Sequence, residues 1–330
     1  MKRRDLLAGL LPVAVVPLAG AQQPGKMYRV AMFHPTHSYS TMSEHGGSTS
    51  WRALFEELRR LGYDEGRNLT VERYTGGGQE ETYPQLARKV VATQPDLILS
   101  MSEGVPFFAD AAAGRVPIIG YVDDTGAAGL STSLSRPSAN VTGIVTDPGV
   151  IVGKRFQMLR EVRPEAKHIA MLAPHRHWEA SDWVQRSEQQ HGMRLTCLCV
   201  ASPLQEAEYR KAFANLDHGR PDFIVVWGGS ENITHRDLIV GLVNERRILA
   251  LYPMRAFVEV GGLMSYGYDP DELFRYLARQ IDLILRGRPV SEVPFYMPIK
   301  WELAVNLGTA KAIGLEIPPS VLFRADLVIE

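Results

Sequence analysis

Polar residues that could contact a ligand follow several short apolar segments of the sequence. Ser102 and Glu103 come after one such segment, Asp124 comes after the next, and Arg255 follows a later one. The carboxylates of Glu103 and Asp124 could receive an ammonium group, and Arg255, or a helix N-terminus with Ser102, could bind a carboxylate. For Asp124 the alternative is a turn residue, because Asp often bonds its own backbone in a turn.

Aromatic residues lie near the ends of apolar segments in the second half of the chain. They are Trp178, Trp227, Tyr252 and Tyr266. Aromatic walls with a few fixed polar groups suit a small amphiphilic ligand, including one with its own ring. The alternative for each ring is an ordinary place in a hydrophobic core. The group as a whole favours a pocket wall.

The motifs of common catalytic sites do not occur in the sequence. A G-x-S-x-G nucleophile turn is missing, and no His stands at a convincing sequence distance from Ser102 or Ser230. We therefore predict no catalytic residues and no enzymatic activity. A hydrolase that uses one of these two hydroxyls remains the alternative.

Two further segments could bind a cofactor or a metal ion. The Thr-Gly-Gly-Gly loop at 75–78 lacks a following Lys-Ser/Thr pair, and Glu80 and Glu81 would repel a phosphate. His175 and His177 could hold a metal together, but no third ligand stands at a firm spacing. We predict a turn at the first segment, and neither a cofactor nor a metal.

The two cysteines are Cys197 and Cys199, in a segment with strand character. Alternate residues of a strand point to one face, so the two thiols should lie side by side. A disulfide or a metal pair is conceivable. We interpret them as two small apolar residues of a buried strand.

The first 21 residues have the composition of an export signal. A basic start, Lys2-Arg3-Arg4, precedes an apolar run over 6–18 and a small-residue site, Ala19-Gly20-Ala21. Such segments are cleaved from exported proteins, here after Ala21. The paired arginines resemble those of a twin-arginine signal. We predict a mature protein in the periplasm.

The composition of the chain is that of a globular protein. Its 330 residues are 45% hydrophobic and 22% charged, and the formal net charge is -1. This length is sufficient for two lobes, each with its own core. The near-neutral charge gives no indication of a nucleic-acid partner.

Predicted strands and helices alternate along the chain, and the alternation restarts near residue 150. A βαβα series implies parallel sheets covered by helices on both faces. We predict an α/β fold of two lobes, one over 27–145 plus 268–288 and the other over 146–267 plus 289–330. Ligands of open parallel sheets bind beyond the carboxyl ends of the strands, so a cleft between the lobes is expected.

Several motifs, in the same order, make the chain similar to the bacterial ABC-transporter substrate-binding proteins of the tryptophan- and tyrosine-binding type. The segments that carry the resemblance are Leu61-Gly62-Tyr63, Leu134-Ser135-Arg136-Pro137, Asn140-Val141-Thr142-Gly143-Ile144, Gly261-Gly262-Leu263-Met264-Ser265-Tyr266-Gly267 and Ile317-Pro318-Pro319-Ser320. The resemblance implies a type I periplasmic binding fold with a ligand cleft. It also implies delivery of the ligand to a membrane permease and its ATPase.

This sequence departs from the family motifs at the predicted pocket. Ser102-Glu103 stand where the family has Gly-Thr/Ser, and Asp123-Asp124-Thr125 stand at its "GDP" turn. We therefore expect the family fold with a ligand of its own. The hypothesis is a monomeric solute receptor for a small polar or zwitterionic molecule, such as an aromatic or apolar amino acid. A ligand-sensing module for a signalling partner is the other alternative.

Overall fold

The computed structural model describes residues 25–46, 48–122, 129–130, 133–137, 140–146, 148–175, 178, 188–189, 192–201 and 204–330. The predicted export signal and Asp124 lie outside these residues. The strands are β1 Tyr28–His34, β2 Leu69–Thr75, β3 Leu97–Met101, β4 Ile118–Val122, β5 Val141–Val145, β6 His168–Pro174, β7 Arg194–Val200, β8 Phe223–Val226, β9 Leu249–Tyr252, β10 Met264–Gly267, β11 Glu302–Asn306 and β12 Leu327–Ile329. The helices are α1 Thr49–Arg60, α2 Tyr83–Ala92, α3 Gly104–Ala112, α4 Pro148–Val162, α5 Glu206–Ala214, α6 Ser230–Thr234, α7 Arg236–Glu245, α8 Arg255–Glu259, α9 Pro270–Leu285, α10 Leu307–Ala312 and α11 Pro319–Phe323.

The first lobe is built on a five-stranded parallel sheet in the order β2-β1-β3-β4-β5. Strands β3 and β5 are buried along their whole length, because helices cover both faces of the sheet. One face packs against α1 and α9, and the other packs against α2 and α3. The apolar runs of the sequence correspond to these strands.

The second lobe contains a seven-stranded sheet in the order β12-β11-β10-β9-β8-β6-β7. All neighbouring pairs are parallel except β10 and β11. The helices α4, α10 and α11 cover one face, and α5, α7 and α8 cover the other. The predicted α/β class, with two helix-flanked parallel sheets, is confirmed.

The helix α9 belongs to the first lobe although it follows the strands of the second. Leu273, Leu277 and Ile281 lie in the same buried cluster as Trp51 and Leu54 of α1. The amphipathic pattern of α9, with an N-cap at Asp269 that accepts two backbone N–H groups, explains why this segment forms a helix.

The chain stays with the first lobe beyond the end of α9. Tyr296 donates its N–H to the carbonyl of Gly143 and accepts the N–H of Val145, and Phe295 donates to Leu134. Phe295 and Tyr296, which lie beyond the lobe boundary predicted at 288, thus bond to residues of the first lobe. The chain crosses between the sheets after β5, after β10 and after Tyr296.

Cys197 and Cys199 are joined in a disulfide on β7, the edge strand of the second sheet. Their Cα atoms are 5.0 Å apart, within the range that a disulfide can bridge. Both residues are half-buried. The interpretation as two separate small apolar residues is thus wrong, and the open alternative of a disulfide is what the structure has. Among the described residues, no helix has the length and apolarity to cross a membrane.

Candidate ligand-binding cleft

The strand order of the first sheet indicates where a ligand would bind. In the order β2-β1-β3-β4-β5, the connections of β1 and β3 leave the sheet in opposite directions. This leaves a crevice beyond the carboxyl ends of these two strands. The residues at this position are His34 at the end of β1 and Ser102-Glu103 after β3.

Ser102 and Glu103 form the tight turn from β3 into α3. Ser102 has a φ of +49°, and its N–H donates to the carbonyl of Tyr121 at 2.8 Å. Gly104 lets α3 begin directly above the sheet, because a Cβ there would lie 2.2 Å from the Phe33 ring. The half-buried Glu103 therefore precedes α3 at a point where the backbone passes close to Phe33 of β1.

Two histidines that the sequence analysis did not select lie on the other side of this crevice. His34 and His37 stack with ring centroids 3.6 Å apart and planes 1° apart. The Nδ1 atom of His34 accepts the backbone N–H groups of Thr36 at 3.1 Å and His37 at 2.9 Å. The Nδ1 atom of His37 accepts the indole N–H of Trp51 at 3.0 Å.

Burial keeps both imidazoles uncharged. Desolvation holds the pKa of His34 well below its usual range, and the neighbouring His37 lowers it further. Desolvation also lowers the pKa of His37 to about 4. Each ring accepts at Nδ1, so each neutral ring carries its proton at Nε2.

The Gly-rich loop after β2, at 75–78, is hydrogen-bonded to the turn that follows His34. Gly76 donates its N–H to the carbonyl of His34 at 3.1 Å, and Gly78 donates to Pro35 at 2.8 Å. A Cβ at Gly76 would lie 2.3 Å from the Tyr83 ring, so the close approach requires glycine. This loop is a structural turn, as the sequence analysis predicted.

The strand ends of the second lobe contain aromatic residues at different depths. Trp227 follows β8 and is partly buried, and Trp178 is partly buried as well. The Tyr252 ring is fully buried and stacks on Phe257 at 5.1 Å. Burial raises the pKa of the Tyr252 hydroxyl. In this conformation the Tyr252 ring is part of the core beneath the strand ends.

Arg255, predicted to bind a ligand carboxylate, contacts three carboxylates of the protein. Its guanidinium lies 3.3 Å from Asp271, 3.7 Å from Glu259 and 3.7 Å from Glu302. Asp271 also accepts the hydroxyl groups of Thr49 and Ser50 of α1. Arg255 therefore connects α8 of the second lobe to α1 and α9 of the first.

Tyr266 belongs to an aromatic cluster at the crossings between the lobes. Trp301 stacks on Tyr266 at 5.6 Å and packs against Tyr268 at 4.5 Å, and the Lys154 ammonium lies 4.4 Å above the Trp301 ring. The hydroxyl of Tyr268 donates to the carbonyl of Thr146. The cluster thus joins all three crossings.

A buried arginine supports the strand ends beside this cluster. Arg155 donates to the carbonyl of Tyr266 at 2.9 Å and to that of Pro253 at 3.4 Å. Burial lowers the pKa of its guanidinium to about 10. Arg155 therefore fixes the ends of β9 and β10 where the cleft opens.

The predicted site residues lie in different parts of the two lobes. Ser102 and Glu103 lie at the crevice of the first lobe, and Trp178, Trp227 and Tyr266 lie at the strand ends of the second. Asp124 is outside the described residues. Within the described part of the chain, no group of three or more His, Cys, Asp or Glu side chains is arranged to hold a metal ion.

Two helix-flanked, mainly parallel sheets linked by three crossings define a two-lobed α/β fold of the periplasmic-binding type. The family model of ABC transporter substrate binding proteins matches residues 41–329. The chain belongs to this family, whose members are binding proteins and work with a membrane transporter.

Individual relatives support the same fold. The chain is 24% identical to a tyrosine-binding protein of Clostridioides difficile over 269 residues, which are 80% of this chain and 76% of that relative. An ABC domain from Streptococcus pneumonia in complex with L-Trp matches with a TM-score of 0.78 at 19% identity, over 92% of this chain and all of that one. A ligand-free, open substrate-binding protein from Clostridium difficile matches with a TM-score of 0.63 at 21% identity, over 92% and 99%.

Proposed function

We propose that this protein is an exported receptor that binds a zwitterionic amino acid with an aromatic or apolar side chain and delivers it to an ABC permease and its ATPase. The observation that carries the proposal is the different character of the two cleft faces. Polar groups of His34, Ser102 and Glu103 lie at the strand ends of the first lobe. The rings of Trp178, Trp227 and Tyr266 lie at those of the second.

In this proposal Glu103, together with Asp124, takes the ammonium group. The three rings cover the side chain of the ligand. Tyr252 lies in the core and Arg255 forms ion pairs within the protein. In this proposal both residues support the cleft and do not contact the ligand. The related proteins named for tyrosine and solved with L-Trp support an amino-acid ligand.

The site acts by favouring a closed arrangement of the lobes. A ligand that touches both lobes stabilises the arrangement in which both contacts exist, so binding shifts the population toward it. The permease would then recognise this closed form. The proposal places the mature monomer in the periplasm and includes no catalytic step.

A thermal-shift screen of the mature protein against the twenty amino acids and small organic acids tests the proposal. We expect stabilisation by an aromatic or large apolar amino acid, followed by reversible binding in titration calorimetry. Incubation of the protein with the corresponding esters and amides should give no product. A screen without a stabilising amino acid, or measurable turnover, would contradict the proposal.

A further inference from the structure

We propose that the Nε2–H groups of His34 and His37 form a pair of hydrogen-bond donors that binds the carboxylate of the ligand at the carboxyl end of β1. This inference rests on the proposed amino-acid ligand and names the subsite for one of its two charged groups. It concerns two residues that neither the sequence motifs nor the predicted site include.

The hydrogen bonds within the turn fix the protons on both rings. A backbone N–H and an indole N–H can only donate, so the Nδ1 atoms that face them must be acceptors. The proton of each neutral ring is then on Nε2. Neither Nε2 atom has a hydrogen-bond partner among the residues that the structure describes.

The geometry of the pair suits a group that only accepts hydrogen bonds. The rings are parallel with centroids 3.6 Å apart, so the two Nε2–H groups belong to adjacent rings of one stack. The hydroxyl of Thr36, in the same turn, is buried and has no partner within the described residues. A carboxylate offers two oxygens with about four lone pairs, whereas an ammonium group offers only donors.

The same proton arrangement disfavours a metal ion at this place. A metal would need an unprotonated Nε2 on each ring, and the proton would then have to move to Nδ1. The N–H groups of Thr36, His37 and Trp51 occupy the Nδ1 positions. The pair is therefore a donor site and not a ligand set for a cation.

Three positive groups near the cleft in the described part of the chain have partners within the protein. Arg255 contacts three carboxylates, Arg155 donates to two backbone carbonyls, and Lys154 lies over the Trp301 ring. The histidine pair supplies donors without a formal charge. It is also rigid, because the Gly-rich loop, β1 and Trp51 hold it on three sides, so little ordering is needed on binding.

The first experiment compares the best amino acid of the screen with its primary amide, which lacks the carboxylate. In titration calorimetry, we expect His37→Phe to weaken binding of the acid about tenfold more than binding of the amide. His37→Gln keeps an N–H donor near the Nε2 position and should retain part of the preference. His45→Phe, an exposed histidine of the same loop, is the matched control and should change neither affinity.

Equal weakening of acid and amide in His37→Phe would overturn the inference, because the residue would then act only on the structure of the turn. So would an unchanged affinity for both. In either case the receptor function would stand, since the unmodified protein would still bind the amino acid. A screen in which no amino acid binds would overturn both proposals.

The second experiment observes the protons directly and needs no variant. In protein labelled with ¹⁵N-histidine, nitrogen spectra at pH 7 should show both rings protonated at Nε2. Addition of the best amino acid of the screen should move both Nε2–H proton signals downfield. A ring protonated at Nδ1, or Nε2–H signals unmoved at saturation, would contradict the inference.

Discussion

At the scale of single residues, Gly104 sets the distance between α3 and the sheet. A side chain there would meet the Phe33 ring at 2.2 Å and the Ser100 hydroxyl at 3.0 Å. We predict that Gly104→Ala lowers the free energy of unfolding by about 1–3 kcal/mol, the usual cost of overpacking. It should also weaken ligand binding, because Ser102 and Glu103 move with the start of α3. Urea unfolding and calorimetry measure the two effects.

The control for this substitution is Gly241→Ala in α7. Gly241 is exposed in a helix interior, and a Cβ there meets no atom within 4 Å. Alanine is the better helix former by about 1 kcal/mol, so this variant should be slightly more stable than the parent. If Gly104→Ala were as stable as the parent, the close contact with Phe33 would not exist in solution.

The two buried histidines predict a dependence of stability on pH. Their pKa values are lowered in the folded state, to about 4 for His37, so the unfolded chain binds more protons between about pH 4 and pH 6.5. The free energy of unfolding should thus fall as the pH decreases through this range, by up to about 1.4 kcal/mol per pH unit for each histidine. Above pH 6.5 this contribution is fully present.

Urea unfolding at several pH values tests this dependence. The slope should be flatter in His37→Phe than in the parent, because one titrating group is removed. His45→Phe should keep the parental slope, since His45 is exposed. Parallel slopes in His37→Phe and the parent would show that His37 does not titrate below its ordinary range.

Single residues of the candidate site differ in how far the sequence predicts them. Glu103 is recognisable in the sequence as a polar residue after an apolar run. His34 is the last residue of such a run and carried a similar signal, but its partner His37 becomes visible only when the turn folds back. Tyr252 shows the opposite problem, because position at a strand end does not determine whether a ring faces the cleft or the core.

At the scale of elements, the disulfide on β7 closes a very small loop. Cys197 and Cys199 are two residues apart, so the bond removes little freedom from the unfolded chain. We predict that the double variant Cys197→Ser/Cys199→Ser loses at most about 1.6 kcal/mol of stability, by the loop-entropy relation for three residues. Urea unfolding of the parent with and without reductant, beside the variant, provides the measurement. A larger loss would show that the bond organises the edge strand.

The order of strands and helices was predictable, because buried parallel strands are continuous apolar runs between amphipathic helices. How far the chain stays with the first lobe after α9 was not predictable from the sequence. The segment 290–296 contains one short 3-10 turn and no long periodic pattern. Its place is fixed by burial of Val290, Val293 and Phe295 and by the backbone hydrogen bonds of Tyr296 to Gly143 and Val145. Such pairing depends on the fold and leaves little trace in composition.

At the scale of the whole molecule, the size of the affinity loss in Arg255→Ala shows whether Arg255 connects the lobes or contacts the ligand. Arg255 is partly exposed and Asp271 is largely buried. With the roughly 0.2–1 kcal/mol of a solvent-screened ion pair, which is the value expected here, loss of the Asp271 pair should change ligand affinity by less than about fivefold. Loss of a charged group that touches the ligand costs 2 kcal/mol or more, which is about 30-fold. We predict the smaller effect for Arg255→Ala in titration calorimetry.

Arg279→Ala is the matched control. Arg279 pairs with Glu57 between α9 and α1, inside the first lobe. The variant Arg279→Ala should leave the ligand affinity unchanged. In solution scattering, Arg255→Ala should change the radius of gyration of the ligand-free protein, whereas Arg279→Ala should not. A loss of affinity above 30-fold in Arg255→Ala would show that Arg255 contacts the ligand.

The late position of α9 in the chain has a consequence for synthesis. Trp51 and Leu54 of α1 are covered by Leu273 and Leu277, more than two hundred residues later. While the ribosome makes the intervening strands, the apolar side of α1 has no partner from α9, and the nascent first lobe cannot reach its final form. A chain that stops before residue 270 should therefore be a target for chaperones, even though all five strands of its first sheet have already been made.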